Sequence, residues 1–385
     1  MRSLFIFIDF PPIGGGISSF NTNIIKHLPP EQLVIMAPTH NGFQEATKGL
    51  SGKLYFYPYY RECPPKHKLR DLWRIIRYAW PIIQKEQVGI IHCSAPLLTG
   101  PAGLFYRLVK GIPYIVYTYA SDVTRPQSSR LKKYLLKLVL KKAARIVTIS
   151  EYTKNEIVKL GLRPEQIVKM IGIDPAEFSG IAVDTEKARV KYRLAGKKVL
   201  LTVSRLVDEK GLDTVIRLLP EIKKKHNNIV YVVTGTGSDL ESLKKLSMET
   251  GVADSVVFTG FVTLDELRQL YDLCDVFIML SRPTDKQEIE GFGLVFLEAN
   301  MYKKPVVAGN IGGVPDAVAD GVSGLLVDPL DLAAATQAVE KLLGNGDLAR
   351  LLGEQGYQRA VSEFAWDQQI KKLTAVIAEI EQEIK

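Results

Sequence analysis

At 385 residues, with 46% hydrophobic and 24% charged residues, the chain is long enough for two domains with full cores and has an ordinary globular composition. No apolar run reaches membrane-spanning length, and three well-separated cysteines, Cys63, Cys93 and Cys274, without a CxxC pair, exclude a disulfide framework and a cysteine zinc site. The net charge of +8 hides an asymmetry: residues 1–172 hold 25 Lys and Arg against 10 Asp and Glu, a net of +15, whereas the remainder nets −7. The two halves therefore face different partners. The N-terminal MRSLFIFIDF meets Asp9 and then PPIGGG without a small-residue cleavage site, so it reads as a first buried strand rather than a signal peptide. A reducing cytoplasm is the expected location.

In chain order, apolar runs alternate with amphipathic ones: strand-like Leu4–Ile8, helical Ser18–Leu28, strand-like Leu33–Ala37, helical Asp71–Gln84. The rhythm continues through Val88–His92, Gly100–Lys110, Tyr114–Thr118, Leu131–Ala144, Arg145–Ile149 and Thr153–Leu160. Strand and helix taking turns predicts parallel strands with crossover helices, a doubly wound α/β sheet. Ile171–Ala195 breaks the pattern with a proline, two glycines and a charged run, and predicts a domain link. The pattern then restarts: strands at Val199–Val203, Ile229–Val233, Val256–Phe258, Val276–Leu280, Pro305–Ala308 and Gly324–Val327, with helices at Leu212–Lys225, Ser238–Thr250, Leu264–Leu273, near Pro315–Ala319 and at Asp331–Leu343. A last helix, Asp367–Lys385, follows Trp366. Two such domains are expected to bind ligands at the carboxyl ends of their strands.

Four stretches carry chemistry. Gly14-Gly15-Gly16 follows the first strand and precedes a helix that Ser18 or Ser19 could cap, so bare backbone can approach a phosphate or sugar there. A dinucleotide fingerprint would need a glycine where Ser19 stands and an acid after the second strand, which ends Ala37-Pro38-Thr39-His40; a nicotinamide enzyme is disfavoured. In VSRLVDEKG, Arg205 and Lys210 leave a strand end as candidate partners for a diphosphate, the alternative being a solvated loop. Gly235 and Gly237, and later Gly312-Gly313, end two further strands, as turn glycines or as close-approach sites. The richest stretch is Ser281–Asn300, SRPTDKQEIEGFGLVFLEAN. A helix starting near Leu294 would aim the amides of Phe292, Gly293 and Leu294 at an anion, while Glu290 and Glu298 bracket a hydroxyl-rich ligand.

Together, GGG after strand one, SRLVDEKG, VTGTGSDLESL, VFTGFV, the Glu290–Glu298 pair, GGVPDAV with DGVSGLLV, and the final FAWDQQ resemble the retaining glycosyltransferases of family 4, with the GT-B fold. The resemblance covers essentially the whole chain. It implies two Rossmann-like domains facing each other across a cleft: an acceptor domain over residues 1–172, a nucleotide-sugar domain over 173–365, and a helix over 366–385 crossing back to the first. It also implies that Arg205 and Lys210 hold the donor diphosphate and Glu298 the ribose. Glu290 and the amides of Phe292, Gly293 and Leu294 would hold the transferred sugar and phosphates, with Gly15 and Gly16 closing over them and Gly235 on the donor side.

One departure stands out. Family members commonly carry a His-Gly pair after the strand corresponding to Tyr114–Thr118, and Tyr119-Ala120 occupies that place here, next to Asp122 on the acceptor or sugar side. Tyrosine can donate one hydrogen bond but carries no imidazolium charge, which leaves the donor sugar open and points to one altered at its 6-position. His92 reads as structural. The stretch 125–145 is free of acids; Arg130, Lys133, Lys137 and Lys141 alternate with leucines, which fits either a sheet-packed helix or one lying on an anionic membrane. The basic run from Lys66 to Arg77 adds to the second reading, and no nucleic-acid module is recognised. The expected function is hexose transfer from a nucleotide diphosphate sugar to a glycan or lipid-linked hydroxyl, without a cofactor or metal, since no DxD pair ends a strand. GDP-mannose is the first donor, with UDP-glucose or UDP-N-acetylglucosamine as alternatives. A sugar-nucleotide epimerase or a catalytically idle relative are the competing classes. The location would be cytoplasmic, with the inner face of the membrane as a candidate resting place.

Overall fold

The computed structural model describes residues 1–40, 42–58, 68–178, 183–284 and 288–384. Cys63 and Lys66 lie outside these residues. The chain forms two compact units: residues 1–172 with the C-terminal helix from Trp366 onward, and residues 173–365.

The first unit is built on parallel strands β1 (Arg2–Ile6), β2 (Leu33–Pro38), β3 (Lys53–Tyr57), β4 (Val88–Cys93), β5 (Tyr114–Thr118), β6 (Arg145–Thr148) and β7 (Ile167–Lys169), ordered β3-β2-β1-β4-β5-β6-β7 among the described residues. Helices cover both faces, so central strands are apolar throughout; all six residues of β2 are buried. The helix Trp366–Ile384 returns to this unit with Ile370, Leu373, Val376, Ile377 and Ile380 buried at helical spacing. Trp366 packs on Phe20 and His27, and Arg145 reaches Glu379 and Glu383 at 3.0 and 2.9 Å.

The second unit carries β8 (Lys198–Val203), β9 (Ile229–Thr234), β10 (Val256–Gly260), β11 (Val276–Met279), β12 (Val306–Gly309) and β13 (Gly324–Val327), ordered β10-β9-β8-β11-β12-β13, again parallel. Strand order reverses between β1 and β4 in one sheet and between β8 and β11 in the other. Such switch points open a crevice at the strands' carboxyl ends.

The doubly wound reading holds, with differences in detail. Strands β3 and β7 and a long helix, Gly346–Phe364, add to the expected elements. Helix Gly16–His27 begins at its glycine, with Gly15 as the N-cap and no side-chain cap, so Ser18 and Ser19 lie inside the first turn rather than capping it.

Candidate active site

The loops leaving β8 and β11, the switch strands of the second unit, carry Lys210 and Glu290. Lys210 Nζ donates to Glu290 Oε2 at 2.6 Å, with both side chains mostly shielded from solvent. Burial opposes a charge on Glu290, but the Lys210 ammonium, its hydrogen bond and the amides of Phe292 and Gly291 outweigh it and hold the carboxyl below its ordinary range. The Phe292 amide thus serves Glu290's own carboxylate. The Glu290 carbonyl is also held: it accepts from Gly313 N at 2.9 Å, and a Cβ on Gly312 would lie 2.4 Å from it. The Gly312-Gly313 pair is a close-approach site for the Glu290 backbone.

Helix Leu294–Met301 follows, capped by Gly293 at φ +89°, where a Cβ would strike the Phe296 ring at 2.4 Å. Phe292 is buried against Phe364 and anchors the loop from below. Glu298 sits four residues after Leu294. Burial raises its carboxyl to about 7, while the Tyr271 hydroxyl, donating at 2.7 Å, favours its ionised form. Residues 285–287 of this loop lie outside the described ones.

Arg205 projects into solvent, 73% exposed, and pairs with Glu209 at 3.0 Å. Three glycines press its loop into shape. A Cβ on Gly211 would lie 2.0 Å from Leu280 O, one on Gly235 1.9 Å from Ser204 O, and one on Gly237 2.1 Å from Leu206 O. Gly211 and Gly235 also hold φ of +65° and +127°. Gly235 and Gly237 are therefore close-packing residues that seat the Arg205 loop on its neighbour. Arg282 completes the brace: its amide donates to Glu209 O, and its guanidinium grips Asp208, Asp213 and Thr214. Arg282 carries no signal in the sequence, because the acids it meets, Asp208 and Asp213, come from another part of the chain.

In the first unit, Gly14 and Gly15 face open space, and Gly15 holds φ +118° before the helix that starts at Gly16. Tyr119 follows β5. Its hydroxyl donates to Asn21 Oδ1 at 3.0 Å, and its amide donates to Asp122 Oδ1 at 2.8 Å. Burial, then Asp122, hold the phenol well above its ordinary value, so Tyr119 is neutral. Asn21, wholly buried and donating to Asp9 O at 2.8 Å, is a further residue the sequence does not single out. Burial raises Asp122 to about 7 against the pull of nearby amides, and its Oδ2 is enclosed without a hydrogen-bond partner. Ala120 holds φ +77°, a backbone that suits the glycine of a His-Gly pair. This supports the register that sets Tyr119 at the histidine position. His92 is structural: it is buried, stacked on Phe5 and bonded to the Tyr117 hydroxyl at 2.9 Å.

On helix Arg130–Lys142 the residues Leu136, Val139 and Leu140 are buried, whereas Leu131, Tyr134 and Leu135 point outward among the exposed Arg130, Lys133, Lys137 and Lys141. Among the described residues no helix is long and apolar enough to cross a membrane, and no three His, Cys, Asp or Glu side chains gather as a metal site requires.

Comparison with known proteins gives two family matches: Glycosyltransferase Family 4 over residues 14–169 and Glycosyl transferases group 1 over residues 184–359. The GDP-mannose-dependent alpha-(1-6)-phosphatidylinositol monomannoside mannosyltransferase of Mycobacterium tuberculosis is 31% identical over 383 residues, 97% of each chain. The Mycolicibacterium smegmatis protein of the same name is 28% identical over 93% of each. Among solved structures, Anabaena HepE in complex with UDP superposes with a TM-score of 0.81 at 18% identity, covering 98% of this chain and 100% of that one. With both halves matched in order and a full-length relative above 30% identity, the chain belongs to the family 4 glycosyltransferases and has the GT-B fold.

Proposed function

We propose that this glycosyltransferase moves a hexose, with GDP-mannose as first donor, to a hydroxyl of a glycan or lipid-linked acceptor with retention of configuration. The observation that carries this reading is the shielded Lys210–Glu290 pair at the switch point of the second unit. An ammonium has three protons, and Glu290 takes one, which leaves two for diphosphate oxygens. As the C1–oxygen bond breaks, the leaving diphosphate keeps the electron pair, and Lys210, Arg205 and the amides at Gly293 and Leu294 stabilise its growing charge. Glu290 accepts from hydroxyls of the departing hexose and Glu298 from those of the ribose. The acceptor oxygen forms its bond on the same face and passes its proton to the departing diphosphate oxygen, so no enzyme nucleophile is required. The mannose donor is supported by the names of the mycobacterial relatives, and Tyr119 and Asp122 are assigned to the sugar and acceptor side.

A thermal-shift screen tests the donor. GDP-mannose at about a hundred times its dissociation constant should stabilise the protein by about 2.7 kcal/mol. A shift with UDP-glucose or UDP-N-acetylglucosamine alone would move the assignment to those sugars.

The outward Leu131, Tyr134 and Leu135 among exposed cations support a first unit that rests on an anionic membrane at the cytoplasmic face, where a lipid-linked acceptor would lie. In liposome flotation the protein should rise with vesicles containing anionic lipid and stay down with zwitterionic ones. Absence of binding to both would refute this part.

A further inference from the structure

Glu298 is held from behind by a side chain that none of the site motifs contains. Tyr271, in helix Leu264–Leu273, is wholly buried, and its hydroxyl donates to Glu298 Oε2 at 2.7 Å. Its ring is fixed on two sides, stacked nearly parallel on Tyr302 with centroids 5.7 Å apart and packed near Phe277 at 5.9 Å. A ring so confined cannot swing, so its hydroxyl marks one place in space and determines which carboxylate oxygen it occupies. Oε1 is then the oxygen left for a ligand.

We propose that Tyr271 is a positioning residue for donor binding, fixing the Glu298 carboxylate so that Oε1 accepts from the vicinal hydroxyls of the donor's ribose. The proposal rests on the reading that Glu298 meets the ribose. An undirected glutamate in an eight-residue helix would have several rotamers, and each side chain ordered only on binding weakens the complex. Tyr271 removes that cost in advance.

The charges around Glu298 give the arrangement a pH signature. Burial and the like charge of Glu177 push its carboxyl up, to about 7, and Tyr271 alone among the named groups pulls it down. Tyr302 stands beside Tyr271, and beyond these two phenols lie Arg268, Asp272 and Cys274. Ribose hydroxyls donate to a carboxylate, so donor binding favours the ionised form. Affinity is therefore full above the midpoint and lost as pH falls through about 7. Removing the Tyr271 hydroxyl takes away a bond to the ionised form and moves the midpoint to higher pH.

Calorimetric titrations of GDP-mannose and, in parallel, UDP-glucose into the full-length protein, Tyr271→Phe and Glu298→Gln, from about pH 5.5 to about pH 9, test this. Both donors carry the same ribose diphosphate, so whichever binds serves as the probe. Tyr271→Phe should bind about tenfold more weakly at neutral pH, recover only in part toward pH 9 as Glu298 ionises while the ordering cost persists, and show a raised KM with an unchanged kcat. Glu298→Gln should bind weakly and without this pH dependence. A Tyr271→Phe profile that overlays the parent protein in both affinity and midpoint overturns the positioning role while leaving Glu298 assigned. Parental binding by Glu298→Gln, or no binding of either donor by the parent protein, overturns the ribose reading itself.

Discussion

Lys210→Ala should lower kcat/KM for hexose transfer on the order of a thousandfold while far-ultraviolet circular dichroism stays that of the parent protein. Lys210 is the mostly shielded cation of its loop; Arg205, the other, is 73% exposed and solvent screens it. On the proposed reading, the charge that develops on the leaving diphosphate is met chiefly by Lys210 and the helix-start amides. Glu290→Gln keeps the volume and should cost a similar factor, because the neutral amide no longer orients the ammonium. Combining the two should cost far less than the sum of the single effects, since each side chain works through the other. The pair should hold across neutral pH. The Glu290 carboxyl lies below its ordinary value, so the stability it contributes is present above that value and fades only in acid. Near-parental turnover in either single variant would refute the assignment of this pair.

Gly235→Ala should destabilise the second unit by about 3 kcal/mol or more, read as a lowered urea midpoint. Two causes act together: φ of +127°, which suits only glycine, and a new methyl 1.9 Å from Ser204 O. The backbone must retreat, and Ser204–Leu206, which carries Arg205, must retreat with it, so donor affinity should fall even where the protein remains folded. Gly14→Ala is the contrast. Nothing lies within 4 Å of its Cβ, and stability should change by no more than about 0.5 kcal/mol. Equal midpoints for the two variants would mean that the loop contact at Gly235 is not what shapes the site.

Much of the fold can be read from the sequence because parallel strands buried on both faces leave uninterrupted apolar runs, as in Leu33–Ala37 or Ile229–Val233. The elements that escape have weak local signals. Edge strand β3 buries only Tyr57 fully, and β7 is three residues long. Helix Gly346–Phe364 carries Gly353 and Gly356 in its interior, which read as breaks. Their reason is tertiary: a Cβ at Gly353 would lie 1.9 Å from Lys303 O, and one at Gly356 2.4 Å from the Asn300 amide. The glycines let this helix seat tightly against Leu294–Met301, the helix that presents Glu298.

The site divides along the same line. Glu290, Lys210 and the glycine pairs stand out because they cluster beside strand ends. Arg282, Asn21 and Tyr271 do not, because each meets its partner across a long sequence separation. A tyrosine at an apolar helix position reads as core, and its hydroxyl's partner is visible only in three dimensions. Tyr119 lies between these cases. Its departure from the family histidine is plain in the sequence, but the bond that commits its proton to Asn21 is not. With that proton taken, Tyr119 is neutral and keeps only acceptor capacity.

If the Lys210–Glu290 pair drives retaining transfer from a nucleotide sugar, the stereochemistry of the first product records it. The most direct test is proton NMR of the hexose first released when the protein turns over GDP-mannose, UDP-glucose or UDP-N-acetylglucosamine with water as acceptor, with Lys210→Ala alongside. One of these α-linked donors should yield the α-anomer first, together with its nucleoside diphosphate, and Lys210→Ala should yield neither; a β-anomer formed first, or no nucleoside diphosphate from any of the three, would rule out retaining transfer at this pair.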